Sequence, residues 1–175
     1  MELPCVNLNI AFDFKKFENV LHPAFLTHED AIRQYVGIWK IIWFYVEKLK
    51  AKKVLEFGTR EGYSTQLFSH LLRETGGHLW TVDLEGHKIS KEVVEKMDNV
   101  TFIQRDILSI RNLSDLGEEF WGTGNRPQTH EVDLLYIDDW HNPYHLFQEL
   151  DQCAEFAKVI LIHDICQNWQ THEWL

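Results

Sequence analysis

The sequence predicts one α/β domain built on a doubly wound parallel sheet with the strand order 3-2-1-4-5. From Lys52 onward, short apolar runs alternate with longer amphipathic segments, which is typical of βαβ units. Right-handed crossovers and a reversal after the first strand give this order. A glycine-containing turn follows the first apolar run, at the position where such sheets bind nucleotide-like ligands.

The individual elements follow from the periodicity of apolar residues. Apolar and polar residues alternate over Val6–Phe14, which predicts a half-buried strand. Thr27 and Asp30 form a capping-box pattern, and apolar residues at helical spacing follow it up to Leu49. The predicted strands of the sheet are Lys53–Phe57, His78–Asp83, Val100–Gln104, Val132–Ile137 and Val159–His163. The predicted helices lie at about Ser64–Thr75, Ser90–Lys96, Leu113–Phe120 and Pro143–Phe156, the last capped by Asn142.

The chain shows no repeat, low-complexity tract or proline-rich linker, so we expect a single domain over residues 1–175. A length of 175 residues is enough for one hydrophobic core. We divide the domain into an N-terminal strand and helix (1–50), a ligand-binding core (51–165) and a short tail (166–175). Gly117–His130 is rich in Gly, Asn, Pro and Thr, which predicts a long surface loop near the strand ends.

The composition of the chain indicates which partners and which cellular location to expect. A formal net charge of -10 disfavours nucleic acid, because binding there depends on Lys and Arg neutralising phosphates. Cys5, Cys153 and Cys166 are odd in number and include no C-x-x-C pair, which is typical of reduced thiols in a cytosolic protein. The start of the sequence lacks the pattern of a signal peptide, and the apolar run Tyr35–Val46 is too short to span a membrane. We therefore expect a cytoplasmic protein with no membrane partner.

The most informative segment is Val54–Thr65, a buried strand that leads through a glycine turn into a helix. Its glycines, Gly58 and Gly62, are spaced G-x-x-x-G, whereas a dinucleotide fingerprint requires G-x-G-x-x-G. No Gly-Lys-Ser/Thr triplet follows, which excludes a phosphate-binding P-loop. The acidic residue Glu61 in this turn also argues against a pyrophosphate, which prefers a bare helix N-terminus.

Carboxylates recur where the predicted strands end. One such residue is unremarkable, because Asp favours turns and caps. Like charges crowded at one edge of a sheet repel each other, however, so a ligand or a cation that satisfies them is the better explanation. The residues concerned are Glu56, Asp83, Asp106, Asp138 and Asp164.

Two segments resemble a known family. Glu56–Ser64, with the pattern E-x-G-x-x-x-G-Y-S, resembles the first motif of class I S-adenosylmethionine-dependent methyltransferases, especially the small-molecule O-methyltransferase branch. Leu135–Tyr144 resembles the strand-four motif of the catechol O-methyltransferase family, in which Asp-x-Trp-Lys follows an apolar strand. The resemblance implies a Rossmann-like fold, S-adenosylmethionine as cofactor and a small-molecule acceptor whose hydroxyl is methylated.

The resemblance also implies roles for single residues toward the cofactor. Asp83 would accept hydrogen bonds from the ribose, Asp106 would meet the adenine amino group, and Trp140 would pack on the adenine. Gly58 would let the methionine portion approach the backbone, and Ser64 would bind its carboxylate. The full predicted cofactor-binding set is Glu56, Gly58, Thr59, Gly62, Tyr63, Ser64, Asp83, Asp106, Ile107, Asp138 and Trp140.

For catalysis, the resemblance points to Asp138 and His141. His141 occupies the position of a lysine that acts as general base in the catechol family, and a histidine pKa near ~6.5 suits that task. An equal alternative is that His141 bonds to the start of the next helix. His163-Asp164 at the end of strand five is similar to the wider group of methyltransferases related to the cephalosporin-hydroxylase type. A divalent cation would be bound by Asp138, His163 and Asp164; a His ligand favours a transition metal over Mg²⁺, or no metal at all.

The sequence departs from this family at its end. Ile165 replaces an Asn that would bind a metal, and 11 residues follow Asp164, because 175 − 164 = 11. The sheet is therefore expected to lack the usual strands six and seven, with strand five covered by Val6–Phe14 or by the partner subunit of a homodimer. Alternatively, the sequence is that of a truncated protein. An alternative function is a non-catalytic module that binds S-adenosylmethionine or assists assembly.

Overall fold

A computed structural model of the chain describes residues 29–86, 92, 94–111, 113–116, 132–140 and 142–163, with only the backbone for 29–36. Its helices are α1 (Glu29–Leu49), α2 (Tyr63–Thr75) and α3 (Pro143–Cys153). Its strands are β1 (Lys53–Phe57), β2 (His78–Asp83), β3 (Val100–Gln104), β4 (Val132–Ile137) and β5 (Ala157–Ile162). Short 3₁₀ turns lie at Ile107–Ser109, Leu113–Leu116 and Ala154–Phe156.

The five strands form one parallel sheet in the order β3-β2-β1-β4-β5, which confirms the predicted fold. β1 lies between β2 and β4, so the chain winds outward to β3 and then returns to the other side of β1. The carboxyl ends of β1 and β4 therefore flank the point at which the winding reverses. Ligands of doubly wound sheets bind in the crevice at that point.

Two apolar clusters cover the two faces of the sheet. On one face, Trp39 of α1 and Phe68 of α2 pack over Val54 and Tyr136. On the other face, Leu55 and the side chains from the segment after β3 form the second cluster. Successive residues of a strand point to opposite faces, so β1 contributes to both clusters. Burial on both faces explains why the central strands read as nearly continuous apolar runs.

Some predicted boundaries differ from those of the structure. The helix predicted over Pro143–Phe156 ends at Cys153, and a 3₁₀ turn follows it. β5 begins at Ala157, not Val159, because Ala157 pairs with Val132 although the segment Ala157–Lys158 is not strongly apolar. Of the helix predicted over Leu113–Phe120, the structure describes only Leu113–Leu116, which form a 3₁₀ turn. Three residues per turn bring Leu113 and Leu116 to the same side, and both are buried.

Several predictions lie outside the described residues. They concern the strand Val6–Phe14, the cap residue Thr27, the loop Gly117–His130 and most of the helix Ser90–Lys96. Within the described part of the chain, β5 pairs with β4 on one side only, so the strand or subunit expected on its other side stays a prediction. No described helix is both long enough and apolar enough to cross a membrane.

Candidate active site

A cavity of about 350 Å³ opens at the carboxyl ends of the strands. This volume lies within the range of small-molecule sites. The turns after β1, β2, β3 and β4 form its walls. Of the residues that the sequence singles out, the structure places six in the cavity wall: Gly58, Asp83, Asp106, Ile107, Asp138 and Trp140. Their roles toward a cofactor stay predictions.

The turn after β1 is held by backbone geometry and by Asp83. Gly58 and Gly62 have φ angles of 90° and 87°, in the left-handed region that favours glycine. Arg60 also adopts this region, with a φ of 47°. The backbone N–H of Arg60 donates to Asp83 Oδ2 over 2.7 Å, and this bond fixes the turn against the end of β2.

The space beside the Cα of Gly58 is filled by the backbone of the loop after β4. A Cβ atom added at Gly58 would lie 2.2 Å from the backbone oxygen of Asp138 and 2.9 Å from the Cα of Asp139. The sequence predicts instead that this glycine leaves room for the methionine portion of the cofactor. That explanation is incomplete, because the loop after β4 already occupies the space a side chain would need. Gly58 is required for the close contact of two turns.

Glu56 does not reach the cavity wall. Its side chain is fully buried and accepts hydrogen bonds from Ser64 Oγ over 2.5 Å and Thr65 Oγ1 over 2.7 Å. Burial raises the pKa of Glu56 to about 7, although the hydroxyls of Ser64, Thr65 and Thr81 lower it in part. Glu56 thus joins β1 to the start of α2. Glu56 is the penultimate residue of β1 and points toward α2, so its role toward the cofactor stays a prediction.

Four further predicted residues lie behind the turn rather than in the described cavity wall. Ser64 uses its hydroxyl proton on Glu56, so it has none to donate to a ligand carboxylate. The hydroxyl of Thr59 lies 2.6 Å from that of Thr81, and Gly62 donates its N–H to the backbone oxygen of Thr59. Tyr63 packs against the apolar cluster. These four residues support the turn from the side away from the cavity.

Asp83 and Asp106 keep acceptor capacity toward the cavity. Asp83 Oδ1 accepts from the N–H of Glu85 over 3.1 Å, and its Oδ2 accepts from Arg60. Asp106 Oδ1 accepts from the N–H of Leu108 over 3.0 Å and caps the following 3₁₀ turn. A carboxylate offers about four lone-pair sites, so both groups can accept more hydrogen bonds. Donors such as hydroxyl and amino groups fit here.

Apolar surface completes the pocket. Ile107 is buried and forms part of its wall, whereas the Trp140 side chain is 71% exposed. An exposed indole at a cavity rim is available to cover a flat ligand ring. The neighbouring ring of His145 lies 5.8 Å from that of Trp140, centroid to centroid.

Asp138 is held in place by its neighbours. Its Oδ1 lies 2.8 Å from His163 Nδ1, and its Oδ2 accepts from the hydroxyl of Tyr136 over 3.1 Å. The structure therefore brings two of the three predicted metal ligands together, but as a hydrogen-bonded pair. Asp164, the third, and His141, the predicted base, lie outside the described residues. A metal at this position stays a prediction.

The family assignment follows from a match to a sequence model. The model of a methyltransferase domain matches residues 55–165, which are more than half of the chain and carry the walls of the cavity. The chain belongs to this methyltransferase family. The match confirms the resemblance to class I S-adenosylmethionine-dependent methyltransferases. No curated protein sequence matches the chain.

Solved structures with similar folds include several methyltransferases. A proposed O-methyltransferase from Klebsiella pneumoniae is 25% identical with a TM-score of 0.47; the match covers 66% of this chain and 50% of that one. A proposed caffeoyl-CoA O-methyltransferase from Staphylococcus aureus is 14% identical with a TM-score of 0.54, covering 86% and 70%. SAH-bound PaMTH1 from Podospora anserina is 20% identical with a TM-score of 0.53, covering 88% and 71%. The chain spans half the length of the Klebsiella protein.

Sequence reasoning missed several residues of this methyltransferase domain. Arg60, Leu84, Asp139 and His145 also line the cavity. Behind His145 lies Glu149, one helical turn further along α3, with its side chain completely buried. The spacing of His and Glu by four residues was a usable signal, because it places both on one face of a helix.

Proposed function

We propose that this methyltransferase domain binds S-adenosylmethionine in the cavity and catalyses transfer of its methyl group to a hydroxyl of a small molecule. The observation that carries the proposal is a pair of carboxylates in the cavity wall. Asp83 ends β2, and Asp106 follows the next strand, β3. Both are anchored through backbone N–H groups, so their positions are fixed before a ligand arrives.

The acceptor groups of the cavity match the donors of the cofactor. Asp83, at the end of β2, would accept from the ribose hydroxyls. Asp106, one turn after β3, would accept from the adenine amino group, with Ile107 beneath the ring and Trp140 above it. A site built to hydrogen-bond a substrate group discriminates strongly against analogues that lack it.

Charge also favours this cofactor. Among the described lining residues, four are carboxylates and one is the guanidinium of Arg60. S-adenosylmethionine carries a positive sulfonium, and a cavity rich in one sign of charge attracts the opposite sign. The demethylated product has lost that charge. The same field therefore binds the product less strongly and favours its release.

The cofactor supplies an electrophilic methyl group, and the residues of the chain provide position and a proton acceptor. Asp138 would be held in place by Tyr136 and His163 and would orient the acceptor hydroxyl. His141 would take the hydroxyl proton. Because methyl transfer needs no covalent help from protein, correct placement of the two reactants would supply most of the rate.

We predict that Asp83→Asn weakens S-adenosylmethionine binding by about 10-fold to 100-fold. Hydrogen bonds to a charged group contribute about 1.5–3 kcal/mol, and the amide cannot replace them all. The measurement is calorimetric titration with S-adenosylmethionine, S-adenosylhomocysteine and NAD. Asp98→Asn is the matched control, since Asp98 is exposed and pairs with Arg73 on the surface. If neither methionine nucleoside binds the unmodified protein, the proposed function is wrong.

A second measurement separates an enzyme from a binding module. In His141→Ala, product formation with a panel of small hydroxyl compounds is expected to fall, while cofactor affinity stays within about 2-fold, because a base acts only on the acceptor. Equal product formation in the variant would remove His141 from the mechanism. Cofactor binding without any product in the unmodified protein would favour the non-catalytic module.

A further inference from the structure

A compact group of three side chains lies beside the cofactor cavity. Asp139 follows β4, and His145 and Glu149 are one turn apart on α3, which begins at Pro143 with Asn142 as its cap. One ligand atom from each of the three residues lies within 4.8 Å of the other two. His145 Nε2 is 2.6 Å from Asp139 Oδ2 and 3.6 Å from Glu149 Oε1.

Glu149 is the unusual member of this group. Its side chain is completely buried, and neither carboxylate oxygen accepts a hydrogen bond from the described residues. Buried polar atoms are normally satisfied, because an unpaired one costs free energy. Burial, and then the nearby charge of Asp139, raise the pKa of Glu149, so the two carboxyl groups can share a proton when no cation lies between them. The Glu149 side chain thus faces another carboxylate, and the imidazole nitrogen of His145, 3.6 Å away, does not form a hydrogen bond with it.

The contact between Asp139 and His145 is also incomplete. It meets the distance of a hydrogen bond but not its angle, so His145 Nε2 has no hydrogen-bond partner among the described residues. Two acidic side chains and one imidazole nitrogen therefore converge without satisfying one another. A positive ion between them would satisfy all three at once.

We propose that Asp139, His145 and Glu149 bind a divalent first-row transition cation of the Zn²⁺ type. Imidazole together with carboxylates suits such ions, whereas Mg²⁺ prefers oxygen ligands alone. Ligands at about 2.0–2.2 Å from a Zn²⁺ ion lie about 3–3.5 Å from one another, so only small side-chain adjustments are needed. Three protein ligands leave a coordination position free. Asp139 and His145 also line the cavity, so a cation held by the three residues would lie beside it.

This site differs from the one predicted at Asp138, His163 and Asp164. It uses the next residue along the chain and a different element, α3. The two sites have no ligand in common, so substitutions can distinguish them. Substitution of Glu149 removes a ligand of the new site and leaves the other ligand set unaltered.

The test uses the full chain, stripped of metal with a chelator and titrated with Zn²⁺ by calorimetry. One equivalent is expected to bind, and Glu149→Gln is expected to weaken that binding more than about 100-fold, since even indirect supporting residues cost 10-fold to 100-fold. Glu155→Gln is the matched control: the same chemical change at an exposed position close by. Co²⁺ in place of Zn²⁺ should give visible absorption bands that the Glu149→Gln protein lacks.

Three results would overturn the proposal. The first is no stoichiometric Zn²⁺ binding, together with a more stable Glu149→Gln protein, which would mean that Glu149 and Asp139 share a proton instead. The second is equal binding by Glu149→Gln and the unmodified chain. If Glu149→Gln does not fold, His145→Gln decides the question, and unchanged Zn²⁺ affinity there is the third. No nucleoside is present in this titration, so its outcome is independent of the proposed function.

Discussion

At the residue scale, the pKa of Glu56 is raised far above its ordinary value. The side chain is fully buried, and its folded-state pKa is about 7 against an ordinary 4.5. The folded protein therefore holds this proton to a higher pH than the unfolded chain does. The contribution to stability is fully present below pH 4.5 and is lost as pH rises to about 7, a change of about 3 kcal/mol.

We predict that Glu56→Gln removes this part of the pH dependence. Gln stays neutral at every pH, so the difference in unfolding free energy between the unmodified protein and the variant should change between pH 4.5 and 7. Urea unfolding at a series of pH values measures it. Glu74→Gln, the same change on the exposed side of α2, should leave the profile as it is. A constant difference across this range would show that Glu56 has the same pKa in the folded and the unfolded chain.

Gly58 gives a second prediction at this scale. Gly58→Ala places a Cβ against the backbone of Asp138 and keeps a positive φ, so we expect a loss of at least about 2 kcal/mol in unfolding free energy. Gly37→Ala is the control, because nothing lies within 4 Å of the added atom in α1. That change should stabilise the helix by about 0.5–1 kcal/mol. Equal effects at both positions would contradict the close contact.

At the scale of the elements, Asp133 connects three strands at the edge opposite the cavity. Its carboxylate accepts from the backbone N–H groups of Lys52 and Lys53 and from Lys158 Nζ. Burial opposes its charge, but these hydrogen bonds outweigh burial and hold the pKa of Asp133 below its ordinary value. This residue therefore stabilises the sheet rather than the site.

Asp133→Ala is expected to lower the unfolding free energy by about 1–3 kcal/mol, because two backbone donors lose their partner. Cofactor affinity should stay unchanged, since the substitution lies at the far edge of the sheet. Chemical unfolding and calorimetric titration of the same preparation measure the two effects. A clear loss of affinity in a fully folded variant would mean that the two edges are coupled.

The strands of the sheet were the most predictable elements. β1 to β4 occur where their apolar runs predict, because strands buried on both faces need apolar residues almost throughout. The start of β5 was missed, since pairing with β4 extends it through Ala157 and Lys158. The length of a paired strand depends on its neighbour as well as on its own residues. The apolar pattern of one segment therefore does not predict where pairing begins.

The candidate site was predictable only in part, and position within the strand explains the difference. Asp83 ends β2 and Asp138 follows β4, so both reach the cavity. Glu56 lies one residue inside β1, where alternation turns it toward α2. The group around Glu149 depends on how α3 packs against the loop after β4. Such contacts are tertiary and leave only the weak signal of helical spacing.

At the scale of the whole molecule, the sheet separates two apolar clusters, and the cavity lies at the carboxyl ends of its strands. A ligand bound there contacts turns after several strands, so it binds only the folded chain and stabilises it. A ligand present at 100 times its Kd adds about 2.7 kcal/mol to the unfolding free energy. For a chain of this length, each kcal/mol corresponds to about 2–4 °C in Tm.

We therefore predict that S-adenosylhomocysteine at 100 times its Kd raises the Tm by about 5–10 °C, whereas NAD at the same concentration leaves it unchanged. Differential scanning calorimetry measures both. The Asp83→Asn protein at the same ligand concentration should show a smaller rise. An equal rise with NAD would contradict selection by the carboxylates of the cavity.

The close contact at Gly58 has a consequence for how the domain can be observed. The amide of Gly58 donates to Val82, and the amide of Asp138 donates to Phe57, so both are bonded across strand ends although they border the cavity. Such amides exchange with solvent only when neighbouring strands separate. Their hydrogen-exchange rates therefore report the opening of the sheet itself. We therefore expect the amides at the rim of the cavity to exchange as slowly as those of the core.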